Sequence, residues 1–182
     1  MHIYVIILTL SIIQINPYFK EPAFLGKLFL YLAVRLVLIL YIIAISPKGL
    51  VPVLEVDNGS ICDSWVICEY LEETFPDQSP LLPKDPYQRS IARTWIDFIN
   101  KSIVPAFFRL LQAQPEETEK RAKALAEFNT ALGKLSEKHK GPFFFGDKIS
   151  LVDIFIAPWA VRDFILRDYR EFKRSMVQGW AD

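Results

Sequence analysis

Few residues in this chain have the type and spacing to do chemistry, and those few cluster between Ser46 and Ser64. Asp63-Ser64 stands where a short strand gives way to a helix. There the unpaired N–H groups of the first turn and the Ser64 hydroxyl can hold a carboxylate. An ordinary Asp/Ser helix cap fits the same two residues. Val51-Pro52 lies at the start of a strand, where a proline is tolerated at an edge because it cannot donate to the ladder. Cys68 sits on an apolar helical stripe with Trp65, Ile67 and Leu71, the position of a buried, inert thiol. Cys62 has no cationic residue near it in sequence that would lower its pKa. His2 and His139 are isolated and make neither a metal-ligand set nor a triad, so no metal site is expected.

The elements that must position these residues are punctuated clearly from Ser46 onward. Ser46-Pro47-Lys48-Gly49 reads as a turn and Leu50–Val56 as a strand. Asp57-Asn58-Gly59-Ser60 reads as a hairpin turn of the Asn-Gly type, and Ser60–Cys62 as a second strand. A helix is expected over Ser64–Thr74. The proline-rich stretch Pro76–Pro83 has the composition of an interdomain linker. Asp85-Pro86 begins a helix, with Asp as N-cap and Pro at the first helical position. That helix runs to about Ala113 and is kinked or split at Pro105. A further helix opens at Pro115-Glu116-Glu117, with acids in its first turn, and continues to about Lys140. Its Glu116–Lys123 stretch reads as a solvated face. Phe143–Asp147 is an apolar loop, and Ser150-Leu151-Val152-Asp153 is a capping pattern ahead of the apolar run Ile154–Trp159. Trp95, Phe98, Phe107 and Phe108 fall at helical spacings and are expected in the core.

Composition sets the outer bounds. The chain has 182 residues, 21 basic and 21 acidic, and two cysteines. Zero net charge makes no electrostatic case for nucleic acid, and two cysteines cannot build a disulfide scaffold, which favours a reducing compartment. A mean hydropathy of +0.21 is high for a soluble chain. The excess is local, because residues 1–45 hold 33 apolar residues and four charges (Lys20, Glu21, Lys27, Arg35). Met1–Ile15 lacks the basic region and small-residue cleavage site of a signal peptide. Leu28–Ile45 reaches the minimum length of a membrane span, but with Arg35 near its middle. On hydropathy alone this block is compatible with an anchor, a buried segment, or a stretch foreign to the fold.

The order of motifs resembles the glutathione transferases, and most closely their omega-like branch. The carrying residues are Ser46-Pro47-Lys48-Gly49-Leu50-Val51-Pro52-Val53-Leu54-Glu55, then Asp63-Ser64 followed by Ile67-Cys68-Glu69-Tyr70-Leu71-Glu72. Leu81-Leu82-Pro83-Lys84-Asp85-Pro86-Tyr87 is similar to the family's interdomain linker, and Ser150–Asp153 to the capping box of its buried helix. The match runs from Ser46 to about Arg174. The resemblance implies an α/β plus all-α architecture. An incomplete thioredoxin-like, glutathione-binding domain (1–78) would be followed by a helical C-terminal domain (84–182) that ends before the family's last helices. It implies glutathione as co-substrate and a cis bond before Pro52. The Val51 backbone would then pair with the cysteinyl unit of glutathione. Ser64 would meet the γ-glutamyl carboxylate and Asp63 the α-amino group, with Asp63 one methylene shorter than the family's usual Glu. Lys20 falls where omega-like relatives place a lysine, and the glycyl carboxylate is its expected partner.

The resemblance further implies thiol transfer or conjugation to a small electrophilic or disulfide substrate, in a cytoplasmic homodimer without nucleic acid or membrane. The family's catalytic Cys, Ser or Tyr has no counterpart here, and no cysteine precedes Ser46. Tyr4, Tyr18, Tyr31, Tyr41 and Ser11 lack a matching context, so catalysis is expected to be impaired. Two other functions stay open, a non-catalytic binding or dimerising protein and a membrane-anchored member using residues 28–45.

Ile12–Leu25 resembles the family's second strand and the segment after it, which in relatives leads almost directly into the equivalent of Ile45-Ser46-Pro47. Gly26–Ile43 intervenes, 18 residues. Gly26-Lys27 can be encoded GGT-AAG, which contains a splice donor, and Ile43-Ala44 as ATA-GCN, which contains an AG acceptor. Removal of the intervening nucleotides restores Ala in frame. Residues 26–43 are therefore expected to be a retained intron, with Met1 to about Ser11 replacing a first exon.

Overall fold

The computed structural model describes residues 4–6, 22–76 and 80–180, with side chains from Leu32 onward. The chain folds as two compact units, Met1–Pro76 and Asp77–Asp182.

The first unit is built on a three-stranded antiparallel sheet, β1 (Tyr4–Ile6), β2 (Val53–Val56) and β3 (Gly59–Cys62), in that order. β2 is central and pairs Ile6 with Val53 on one side and Val53 with Cys62 on the other. Successive strand side chains point to opposite faces, and Val53 and Leu54 are both fully buried, so β2 is covered on both faces. The strand begins three residues later than the expected Leu50, because Leu50–Pro52 lies outside the ladder. The Asp57-Asn58 turn leads to Gly59 at φ 138°, a backbone angle that favours glycine. Helix α2 (Ser64–Thr74) follows β3 at once and buries Ile67. Cys68 is half-buried beside it.

Helix α1 (Pro22–Ile45) spans the second of the two apolar blocks, Leu28–Ile45. It has no acid in its first turn and no base in its last, so nothing complements its dipole. Ile42 is buried, whereas Leu36, Val37, Leu40 and Ile43 are each more than half exposed. The side chains described cover Leu32–Ile45, roughly 21 Å of helix. Among the described residues no helix is long and apolar enough to cross a membrane. The end of α1 is tied down through the carbonyl of Ile45, which accepts from Ser60 Oγ (2.7 Å) and Cys62 Sγ (3.5 Å). A carbonyl of the last helical turn has no intrahelical donor, and β3 supplies two.

The second unit is helical. Asp85 caps α3 (Pro86–Phe98) by accepting the Gln88 N–H at 2.8 Å, with Pro86 in the first turn. The expected break at Pro105 is a single π-helical turn, Ile99–Ile103, after which α4 (Val104–Gln112) resumes with the proline near its start. Proline has no N–H to donate, and widening the preceding turn removes the demand for one. Helix α5 (Thr118–Ser136) starts three residues after Pro115 and ends four before Lys140. Ser150 and Asp153 open α6 (Leu151–Tyr169) as the sequence predicts. The Asp153 carboxylate accepts the Ser150 N–H (2.8 Å) and hydroxyl (2.6 Å) with one oxygen. It takes the Phe144 N–H (2.9 Å) with the other, so the same group fastens the 143–147 loop. The Leu151 N–H donates to Leu81 C=O at 2.9 Å, joining the linker residues to α6, and Leu82 is buried.

The core of this unit is aromatic. Phe107 meets Phe108, Phe128 and Trp159 edge-on, and Phe128 meets Phe172. Phe107 is buried, but Phe108 is 42% exposed, contrary to the core position expected for it. At the end of α6, Asp163 is buried with its side chain 1% exposed. It accepts two bonds from Arg174 (2.7 and 3.0 Å), and Arg167 stands 3.3 Å away.

Candidate functional site

The turn before β2 and the junction of β3 with α2 face one another across a cavity of about 400 Å³ within the first unit. Its lining brings together four of the residues singled out from sequence, Val51, Pro52, Asp63 and Ser64, and adds Lys48 and Cys62. The fifth, Lys20, lies outside the described residues.

Each wall has a local cause. Ser46 is buried, and its hydroxyl both donates to Leu50 C=O (3.2 Å) and accepts the Leu50 N–H (3.3 Å). With Gly49 at φ 60° and its N–H on Ser46 C=O, this closes a tight loop that presents Lys48 at its tip. The Val51–Pro52 peptide bond is cis. Val51 is exposed, and neither its N–H nor its C=O has a backbone partner among the described residues. The N–H can therefore donate to, and the C=O accept from, a peptide laid strand-like beside it.

On the opposite wall Asp63 adopts φ 80° and ψ 125°. A non-glycine residue with positive φ is uncommon and concentrates at functional positions. Its Oδ1 accepts the Trp65 N–H at 3.0 Å, and its Oδ2 stands 3.8 Å from Lys48 Nζ. Cap and site thus coincide, since one oxygen serves the helix while the other remains at the cavity. Ser64 is exposed at the first position of α2, where the helix N-terminus favours an anion. Lys48 could not be matched to Asp63 from the sequence, because fifteen residues separate them and only the loop closure at Ser46 brings them together.

The thiols read differently. Cys62 lines the cavity, and its Sγ donates to the Ile45 carbonyl at 3.5 Å. Burial pushes the Cys68 thiol above the ordinary cysteine value, and the neighbouring Glu72 carboxylate raises it further. Of the hydroxyls upstream of Ser46, only Tyr41 is described. It donates to Glu55 Oε1, an acceptor that raises its pKa, and it does not line the cavity. Among the described residues no group of three or more His, Cys, Asp or Glu could hold a metal ion.

A larger cavity of about 620 Å³ lies in the second unit, lined in part by His139, Phe144, Asp153, Arg174 and Trp180. Its two opposite charges are already engaged, Asp153 by the α6 cap and Arg174 by Asp163. It offers less unspent polar chemistry than the cavity at Asp63.

Comparison with known proteins gives the geometry its context. The family model for the glutathione S-transferase N-terminal domain matches residues 38–80, and that for the C-terminal domain matches residues 104–179. A probable glutathione S-transferase, parA of Nicotiana tabacum, is 37% identical over 110 residues, 60% of this chain and 49% of that protein. The solved structure of glutathione transferase Omega 3C from Trametes versicolor is 42% identical, with a TM-score of 0.72. That match covers 78% of this chain and 64% of the other. A rice glutathione transferase solved in complex with glutathione is 25% identical, with a TM-score of 0.66, covering 77% and 67%. The chain spans about half the length of the curated relatives it matches. Both halves of the family's architecture are present in order, a thioredoxin-like unit and then a helical one. The chain belongs to the glutathione transferase family.

Proposed function

We propose that the cavity between the Ser46–Pro52 turn and the start of α2 binds glutathione. The observation that carries this reading is the convergence of Val51, Asp63 and Ser64 on one cavity in a chain of this family. An unpaired backbone at Val51 suits the cysteinyl unit, and the Ser64 hydroxyl with the α2 N-terminus suits the γ-glutamyl carboxylate. Asp63 suits the α-amino group, and Lys20 is assigned to the glycyl carboxylate by resemblance.

The chemistry proposed is glutathione-dependent thiol transfer, or conjugation to a small electrophilic or disulfide substrate, in a cytoplasmic homodimer. Omega-like kinship is supported by the 42% identity to the Omega 3C structure. A second reading, a non-catalytic binding protein, is favoured by the thiols and by Tyr41. The Cys62 thiol is engaged by the Ile45 carbonyl, burial raises the pKa of Cys68, and the Tyr41 hydroxyl is committed to Glu55. Loss of a group that stabilises the reacting thiolate costs about 3 kcal/mol in this kind of chemistry, a hundredfold or more in rate. The two readings share the binding site and differ in turnover.

Passage of the full chain over immobilised glutathione tests the shared part. The expected result is retention, elution by free glutathione, and turnover of an electrophile or disulfide far below that of a complete transferase. Failure to be retained would overturn the binding site, and vigorous turnover would overturn the non-catalytic reading.

A further inference from the structure

We infer that Lys48 is a specificity-determining residue, pairing with the α-carboxylate of a zwitterionic amino-acid end whose ammonium is taken by Asp63. The inference rests on the glutathione reading of the cavity and goes beyond it by assigning a residue and a selectivity.

Among the described lining residues two side chains are charged, one of each sign, and the rest are neutral. In the free protein the Lys48 ammonium stands 3.8 Å from Asp63 Oδ2, while Oδ1 is committed to the Trp65 N–H. The Lys48 ammonium therefore stands beside the oxygen that a ligand's ammonium would approach. Both side chains are largely solvated, 73% and 48% exposed, so the pair is weak and either partner can exchange it. A ligand carrying only an ammonium would displace Lys48 and leave its charge uncompensated beside the new one. A ligand carrying only a carboxylate would face Asp63. An α-amino-acid end carries both charges within one residue and replaces the internal pair by two crossed pairs. The ligand carboxylate then lies between Lys48 and the N-terminus of α2, where Ser64 adds a donor.

The test compares two ligands on the full chain, glutathione and its analogue lacking the γ-glutamyl α-carboxylate, 4-aminobutyryl-cysteinyl-glycine. Affinities are measured by calorimetry at low salt, because surface charge effects are screened at high salt. Lys48→Met is expected to weaken glutathione by about three- to tenfold. The same variant should leave the analogue unchanged or bind it more tightly, since Asp63 is then released. Lys48→Arg should keep most of the affinity for glutathione. Lys48 sits at an exposed loop tip, and an unaltered circular dichroism spectrum would show that the variants fold.

Equal weakening of both ligands would overturn the inference, because Lys48 would then act through the general field or through the loop. No effect on glutathione would overturn it as well. If the unaltered chain binds neither ligand, the glutathione reading fails and this inference fails with it.

Discussion

At the scale of single residues, the side chains that fasten the fold and those that face the cavity separate cleanly. Asp163 is the strongest fastener. Its buried carboxylate is satisfied by Arg167, one turn along the same helix, and by Arg174, which ties the segment carrying Phe172 and Val177 to α6. Asp163→Asn keeps the shape and removes the charge. Both arginines are more than 40% exposed and can turn to water, which limits the loss. Urea denaturation should show a destabilisation of about 1–3 kcal/mol, and an unchanged midpoint would show the network to be ornamental.

Cys68 offers a pH test. Alkylation needs the thiolate, and burial with Glu72 raises this thiol's pKa. Labelling by iodoacetamide near neutral pH should be slower in the folded chain than in urea, and the two rates should converge as pH rises through the folded pKa. By linkage the folded state gains stability below the unfolded thiol pKa and loses it as pH passes the folded value. Equal rates in the two states near neutral pH would contradict the assignment.

Asp63 and Ser64 were legible in the sequence because they follow a strand and precede a helical stripe. Lys48 was not, because its role depends on the loop that Ser46 closes. Cys62 could be placed near Asp63 by number alone, but its bond to Ile45 depends on where α1 ends.

At the scale of elements, the sequence located what local physics decides. The Asp85 and Ser150 caps stand at the residues expected, because a short acceptor before an apolar run meets unpaired N–H groups whatever the surroundings. Loss of the Asp85 acceptor in Asp85→Ala should cost about 1 kcal/mol, seen as a lower thermal midpoint without change in helix content. A change of helix content instead would mean that the cap nucleates α3. The break near Pro105 was legible, but its form was not, since the widened Ile99–Ile103 turn depends on the packing of buried Ile99 and Ile103. Phe108 was misplaced for a related reason. Helical spacing alone cannot tell which edge of an aromatic stripe reaches the surface, and the pairing of Phe107 with Phe128 and Trp159 decides it. For α1, periodicity had no purchase, because the segment is apolar all round and no face is marked for burial.

At the scale of the whole molecule, a large part of the apolar excess belongs to one element. Helix α1 carries residues 26–43 entire, and without them the chain would have a net charge of −2. If that stretch is a retained intron, mature transcripts should mostly lack its nucleotides, and the shortened chain should be the more soluble one. Uniform inclusion in mature transcripts would sink that origin.

The described lining of the proposed glutathione site runs from Ser46 to Val66, downstream of α1. Its most direct test is calorimetric titration of glutathione into the full chain and into Asp63→Ala/Ser64→Ala. The account predicts saturable binding to the unaltered chain, weakened by roughly tenfold or more in the double variant. Indistinguishable titrations of the two chains, or no saturable heat in the unaltered one, would contradict it.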